Sequence, residues 1–294
     1  MSKLNEAIEE FALSENIAFG ICAADNLDNI EGDISNIPFF KGNTLERISP
    51  GRFLPGAKSL IVLAVAVERT AAFEGLDLIM APSLCGIDYH KRLRLIADEL
   101  ISKLLEIKNF SYKIHIDSGP LLERAFALKA GLGVIGKNNC LINSRFGSFF
   151  NLALIVSDLE LIKNTAKSTD LLCINCHNCI NSCPTKALST DGSFDYKKCI
   201  SYLTQKKGKL NEWEQKMIGT TIYGCDICQS VCPKNTPFNL PERKKSKEVV
   251  LRQILEMSKE RFSLEFKESS FFWRGPSVIK RNCRIALNNM ERGV

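Results

Sequence analysis

Cys173, Cys176, Cys179 and Cys183, with Pro184 behind them, fit C-x2-C-x2-C-x3-C-P without a gap. This is the bacterial ferredoxin run. Three closely spaced thiolates wrap one iron–sulfur cubane, and the fourth, carried away by the turn and the proline, ligates a second one. Cys225, Cys228 and Cys232, followed by Pro233, repeat the motif with its first cysteine missing. Cys199 takes the missing place, because the second cubane otherwise lacks a ligand. The expected sets are Cys173, Cys176, Cys179 and Cys232 for one cluster, and Cys183, Cys199, Cys225 and Cys228 for the other. Two 4Fe–4S clusters imply single-electron transfer at low potential.

Two rival chemistries fit less well. Cys173-Ile-Asn-Cys176-His177 also matches the haem attachment pattern C-x-x-C-H. That leaves Cys179 and Cys183 unexplained and expects export, for which the N-terminus carries no signal. Structural zinc uses C-x2-C pairs, but the x2-x2-x3-Pro run is not zinc spacing. A disulfide framework does not suit a reducing compartment. Of the other cysteines, Cys22, Cys140 and Cys283 read as small buried hydrophobes. His90, His115 and His177 share no metal spacing. His115 is expected on one side of a strand, His177 beside a cluster, and His90 at a helix start, capping or touching ligand.

Gly131-Leu-Gly133-Val-Ile-Gly136-Lys137 fits two well-known phosphate-binding patterns. As G-x-G-x-x-G it must follow a strand and open a helix, but it follows a helix-like segment, and residues 137–150 are rich in Asn, Ser and Gly. As G-x4-G-K it lacks the Ser or Thr for magnesium, since Asn138 stands there. The loop reads instead as backbone approaching a bulky ligand, where a side chain would collide.

The elements that must position these groups follow from patterning. Residues 59–67 form a continuous aliphatic run, as in a buried strand. Residues 91–108 place Leu93, Ile96, Leu100, Ile101, Leu104 and Leu105 on one helical face. Residues 112–116 alternate as a strand that delivers Asp117 at its end. Residues 121–130 favour a helix with Gly131 at its C-cap, and 151–157 form another strand. This gives an α+β protein with a mixed α/β sandwich over residues 1–163. A cysteine-rich, ferredoxin-like domain covers 164–240. A basic helical segment covers 241–294, patterned around Val249, Ile254 and Leu255 and again from Val278 to Met290.

Charge is uneven along the 294 residues. The stretch from Lys234 to the end carries 14 Lys and Arg against 7 Glu, while the rest is nearly balanced. A basic tail points to a polyanionic partner such as nucleic acid, or else to a solvated lysine-rich face. No stretch approaches the roughly 20 apolar residues of a membrane helix. The expected setting is the cytoplasm, with no membrane partner, as a monomer.

Several further stretches carry a resemblance: Asp88-Tyr-His-Lys, Asp117-Ser-Gly-Pro-Leu-Leu-Glu, Ala-Gly131-Leu-Gly-Val-Ile-Gly-Lys-Asn, Gly147-Ser148, Cys199-Ile-Ser-Tyr-Leu-Thr and Ile222-Tyr-Gly-Cys-Asp-Ile-Cys-Gln. From about Arg47 to Asn289, and in this order, the sequence resembles the epoxyqueuosine reductases of tRNA modification. That resemblance implies cobalamin bound in the N-terminal domain close to two 4Fe–4S clusters. The reaction it implies removes the epoxide oxygen of epoxyqueuosine at the tRNA wobble position, giving queuosine. It makes Asp117 the proton donor. It places Arg47, Cys85, Asp117, Gly136, Lys137, Asn138, Gly147, Ser148, Ser201 and Asp226 near the corrin. An external low-potential donor, flavodoxin or ferredoxin, is expected to feed the clusters. Members often continue into a helical repeat after the segment matching Lys280 to Asn289, whereas this sequence stops at Val294, so a short C-terminal form is expected.

Clusters deliver electrons singly, so a two-electron centre must stand between them and an epoxide; reduced cobalt serves that role. Asp117 could protonate the opening ring if burial raised its pKa; its ordinary alternative is a helix N-cap. Arg243, Lys244, Lys245, Lys247, Lys280 and Arg281 would meet tRNA phosphates, and Lys206 and Lys207 the anticodon loop. The competing activities are a cobalamin-dependent reductase of a small molecule, as in reductive dehalogenases, and a non-catalytic ferredoxin-type electron carrier.

Overall fold

The computed structural model describes residues 2–28, 39, 41–67, 75–117, 119–163, 173, 175–236 and 246–293. The chain divides into two units. Met1–Ala66, His90–Ile135 and Leu141–Leu171 make the first; Val67–Tyr89, Gly136–Cys140 and Leu172–Val294 make the second.

The first unit begins with α1 (Lys3–Ser14), β1 (Ala18–Ala23), the short helices α2 (Thr44–Ile48) and α3 (Pro50–Phe53), and β2 (Ser59–Ala66). It continues through α4 (Tyr89–Ile107), β3 (Tyr112–His115), α5 (Glu123–Lys129), the two-residue strands β4 (Val134–Ile135) and β5 (Leu141–Ile142), and β6 (Phe150–Ser157). Among the described residues the main sheet has four antiparallel strands in the order β1-β2-β6-β3. Strand β2 is an uninterrupted aliphatic run because it lies inside the sheet, buried from Ser59 to Val65. Its Ile61 stands opposite Ile21 on one side and Ile155 on the other. One face of the sheet, with Leu60, Val62, Leu154 and Val156, packs on Leu121, Phe126 and Ala127. Each such aliphatic side chain contributes roughly 1.5–3 kcal/mol on full burial. These elements fall where the patterning places them, with ends shifted by one or two residues. Leu105 differs: it sits at the edge of the α4 face and is exposed.

In the second unit the helices are α6 (Asn178–Ser182), α7 (Ile200–Gln205), α8 (Glu212–Ile218), α9 (Ile227–Ser230), α10 (Lys247–Glu256), α11 (Lys259–Phe266) and α12 (Gly275–Glu291). Its core joins Leu76, Ile79, Met80 and Cys85 to Leu251, Ile254, Phe262, Phe271, Ile279, Cys283 and Ala286. Backbone bonds reinforce this, Ile222 N–H donating to Ile79 O at 2.6 Å and Ala81 N–H to Tyr223 O at 3.0 Å. Asn282 is fully buried, and its amide donates to Thr204 O at 2.7 Å and Ile222 O at 2.8 Å. This division runs differently from cuts at 163 and 240, which fall on or beside residues outside the described set. A change of composition marks where the local chain changes character. It does not show that residues 76–85 share a core with residues 251–286.

Candidate functional site

The cluster cysteines all lie in the second unit. Helix α6 carries Cys179 in its first turn and ends at Cys183. Cys199 precedes α7 as its N-cap, and α9 carries Cys228. Helices α6 and α9 meet over a small core of Cys179, Ile180 and Leu188, against which Cys183, Cys228 and Val231 pack. The thiols act on one another electrostatically. Burial raises Cys232 most, and Cys173, Cys176 and Cys228 raise it further. Burial also leads at Cys199, with Cys228 and Cys183 adding to it. Cys225 is pushed up to about 12 by burial, then by Cys199 and Cys228. Cys228 acts on thiols of both expected sets, on Cys179 and Cys232 as well as on Cys199 and Cys225, so the eight thiols lie close together without dividing into two groups of four. At Cys183, burial raises the thiol, but hydrogen bonds from Thr185 and from the N–H groups of Ala187, Thr185 and Leu188 outweigh it and lower the pKa. The Ala187 N–H stands 3.3 Å from Cys183 Sγ. N–H groups aimed at sulfur favour thiolate and suit an iron–sulfur ligand.

Cys140 departs from its reading as a buried hydrophobe. It is half-buried, and its hydrogen bond with Cys228 raises that thiol more than burial does. A tight turn brings it there: Gly136 N–H donates to Cys140 O at 2.9 Å, and Asn139 is left-handed with φ 58°. A single cysteine far from either motif gives no sequence signal of this contact.

Of the other expected site residues, Cys85, Gly136, Lys137, Asn138, Ser201 and Asp226 belong to the second unit. Cys85 is in its core, with Sγ 3.4 Å from Ala81 O and the thiol raised chiefly by burial. Asp226 is buried and accepts from Ser83 N–H and Ser83 Oγ, both at 2.8 Å. Burial raises Asp226, and the bonds from Ser83 and Gln229 pull it back. A cavity of about 350 Å3 opens beside Cys225 and Asp226, walled by Met80, Pro82, Thr221 and Ile227. Lys137 Nζ donates to Cys176 O at 3.3 Å and lies 3.2 Å from His177 Nε2, so both side chains border the first ligand set. Asn138 is buried, and its Nδ2 has no hydrogen-bond partner among the described residues. Ser201 is half-buried in α7, where its carbonyl accepts from Thr204 Oγ1 and Gln205 Nε2.

Arg47, Asp117, Gly147 and Ser148 belong to the first unit. Asp117 follows β3 with φ 48°, and its carboxylate lies 3.4 Å from His90 Nε2 in the first turn of α4. It caps no helix: Leu122 holds the N-cap position of α5. Instead its backbone N–H donates to Glu123 Oε1. Glu123 Oε1 is 3.2 Å from His115 Nδ1, and His115 Nε2 accepts from Leu121 N–H at 3.0 Å. Burial raises the Glu123 carboxyl, and the bond to His115 lowers it. Arg47, 2% exposed, anchors the same loop, its carbonyl accepting from Leu122 N–H at 3.0 Å. The sequence places His115 on a strand but does not show its link to Glu123.

Two glycines of the loop, Gly131 and Gly133, serve the backbone. Gly131, φ 74°, ends α5. A Cβ on Gly133 would stand 2.2 Å from Ile142 O, across the β4–β5 hairpin. At this position the close neighbour is therefore the chain itself, so Gly133 is needed for the hairpin. The segment after Lys137 is a turn leading into β5, so neither nucleotide-binding motif is formed. Gly147, φ 62°, closes a tight loop with Asn143, and Ser148 beside it is buried.

The basic residues separate into used and open. Lys280 Nζ donates to Leu255 O at 3.0 Å and to Met257 O, capping the end of α10. Arg281 Nη1 donates to Lys206 O and Gly208 O, each at 2.6 Å, and Lys206 Nζ pairs with Glu214 at 2.5 Å. These three side chains are engaged within the fold, whereas the sequence reading gives Lys280 and Arg281 to tRNA phosphates and Lys206 to the anticodon loop. Lys207 is exposed, and so is Lys247, whose Nζ donates to Thr220 Oγ1 at 3.3 Å, while Arg243, Lys244 and Lys245 lie outside the described residues. Among the described residues no helix is long and apolar enough to cross a membrane.

Comparison with known proteins adds three findings. The family model of a 4Fe-4S double cluster binding domain matches residues 172–235. An epoxyqueuosine reductase of Lactococcus garvieae is 33% identical over 312 residues, spanning 98% of this chain and 88% of that protein. Among solved structures, epoxyqueuosine reductase from Streptococcus thermophilus superposes with a TM-score of 0.87 at 31% identity, over 98% of this chain and 82% of that one. A crystal structure of epoxyqueuosine reductase with an epoxyqueuosine-modified tRNA-Tyr stem loop gives 0.84 at 30% identity, over 98% and 83%.

Proposed function

The chain belongs to the epoxyqueuosine reductase family, and we propose that it reduces the epoxide of epoxyqueuosine in tRNA to give queuosine. What carries this reading is the near full-length likeness to enzymes of that name, together with the 4Fe-4S double cluster domain matched over residues 172–235, which holds all eight cysteines. The stem loop bound in one similar structure supports a tRNA substrate.

The overall change takes an epoxide, two electrons and two protons to an alkene and water. Bound cobalamin, fed by the clusters, supplies a centre that accepts electrons singly and delivers two. Asn138 fits such a ligand: a buried amide N–H group lacking an acceptor suits a molecule edged with amide carbonyls. We assign Asn138, with its neighbours Gly136 and Lys137, to cobalamin binding. Asp117 gives a proton to the oxygen as its C–O bond opens, which spares the leaving group an unfavourable negative charge. His90, within 3.4 Å, orients that carboxyl group. Electrons come from a low-potential carrier protein, and the exposed Lys207 and Lys247 offer charge to phosphates.

The experiment is anaerobic reconstitution with iron, sulfide and cobalamin, followed by turnover of epoxyqueuosine-bearing tRNA. The wild type converts it. Asp117→Asn keeps the iron content and the corrin spectrum but loses about 100-fold or more in rate. A wild-type protein that loads both cofactors and leaves the tRNA unchanged overturns the proposal.

A further inference from the structure

The loop that carries Asp117 is held by side chains for which the reaction itself has no need. Asp117 adopts a left-handed φ of 48°, uncommon for a residue with a side chain. Its N–H donates to Glu123 Oε1, the oxygen that also lies 3.2 Å from His115 Nδ1. Because His115 Nε2 accepts from Leu121 N–H, a neutral ring carries its proton on Nδ1, the nitrogen that faces Glu123 Oε1 across 3.2 Å. Gly119 lies against that ring: a Cβ there would stand 2.2 Å from His115 Cδ2. Phe53 meets the ring edge-on, with centroids 5.9 Å apart. One carboxylate oxygen thus ties both ends of the loop, residue 117 at its start and residue 121, through the imidazole, near its close.

We propose that Glu123, working with His115, is a positioning residue for Asp117: it fixes the backbone from which the acid is presented and transfers no proton itself. The proposal rests on the reading of Asp117 as proton donor. Glu123 Oε1 accepts the Asp117 N–H and faces the imidazole Nδ1, a task an amide oxygen performs equally well. That chemistry separates holding from proton relay.

The test uses the full chain loaded with both cofactors and assayed on epoxyqueuosine-bearing tRNA. Glu123→Ala lowers kcat about 10- to 100-fold, the scale of a small misplacement of a reacting group, and changes KM for tRNA by no more than about twofold. Glu123→Gln restores most of the rate. In an Asp117→Asn background, Glu123→Ala adds no further loss, because its effect runs through Asp117. Hydrogen exchange in the peptide covering residues 116–122 speeds up in Glu123→Ala and not in Glu123→Gln. If Glu123→Gln is as slow as Glu123→Ala, Glu123 moves a proton and the proposal is wrong. Additive losses with Asp117→Asn, or an unimpaired Glu123→Ala, also overturn it. Should Glu123→Ala not fold, Gly119→Ala displaces the same ring and must give the same kcat loss. An Asp117→Asn variant with full activity defeats the reading of the acid itself, whatever the Glu123 variants do.

Discussion

Asp117 Oδ2 stands 3.4 Å from His90 Nε2, joining the end of β3 to the first turn of α4. Both side chains are partly open to solvent, so the pair contributes about 1 kcal/mol or less to stability. His90→Gln therefore leaves the melting temperature almost unchanged. It lowers kcat by up to about tenfold, since the carboxyl group loses one orienting partner. Thermal unfolding and turnover of the same preparation check both halves.

The cysteine sets make a counting prediction. Two clusters of four irons each give about eight per chain. Cys173→Ala and Cys183→Ala each leave about four. Adding Cys232→Ala to Cys173→Ala costs no further iron, because both serve one cubane, while adding it to Cys183→Ala removes nearly all. The reverse pattern places Cys232 with its sequence neighbours Cys225 and Cys228. Iron and sulfide analysis decides.

Cluster loading depends on pH through the buried thiols. Cys225 is raised from 9.0 to about 12, chiefly by burial. Without iron, this raised value favours the fold fully below about pH 9, and the contribution is lost as pH climbs toward 12. Iron needs the thiolate, so binding expels the proton, and affinity rises about tenfold per pH unit for each proton released. Chelator competition between about pH 6.5 and 8.5 should show firmer iron retention at the alkaline end. A flat profile refutes the assignment.

Gly133 gives a test of the glycine loop. Its missing Cβ makes room for Ile142 O, 2.2 Å from where the atom would lie. Gly133→Ala must push the β4–β5 hairpin apart, costing about 1–3 kcal/mol of stability. Corrin affinity, measured by absorption titration on the folded fraction, should stay the same. A variant of normal stability that no longer binds cobalamin restores the ligand reading.

The sequence revealed what rests on short spacing. Eight cysteines at fixed intervals announced both cubanes, and the run at 59–66 announced an interior strand, because ligand geometry and two-sided burial each write themselves into neighbouring residues. Contacts made through folded loops left no such trace. Glu123 lies in a helix-forming stretch, and nothing local tells that its oxygen serves Asp117 and His115. Lys280 and Arg281 look like surface charge until α12 is seen to turn them onto carbonyls of α10 and the residues after α7. Cys140 looked inert because its partner, Cys228, is distant in the chain.

Leu76, Ile79 and Met80 are made early by the ribosome, yet Leu251 and Ile254, which enclose them, follow some 170 residues later. At about 5–20 residues per second that is an interval of roughly 10 to 35 seconds. During it a greasy hook hangs unsheltered from the nascent chain, within reach of chaperones and of neighbouring copies. Slow translation or scarce chaperone capacity should thus lower the yield of soluble protein before any question of iron or cobalt arises.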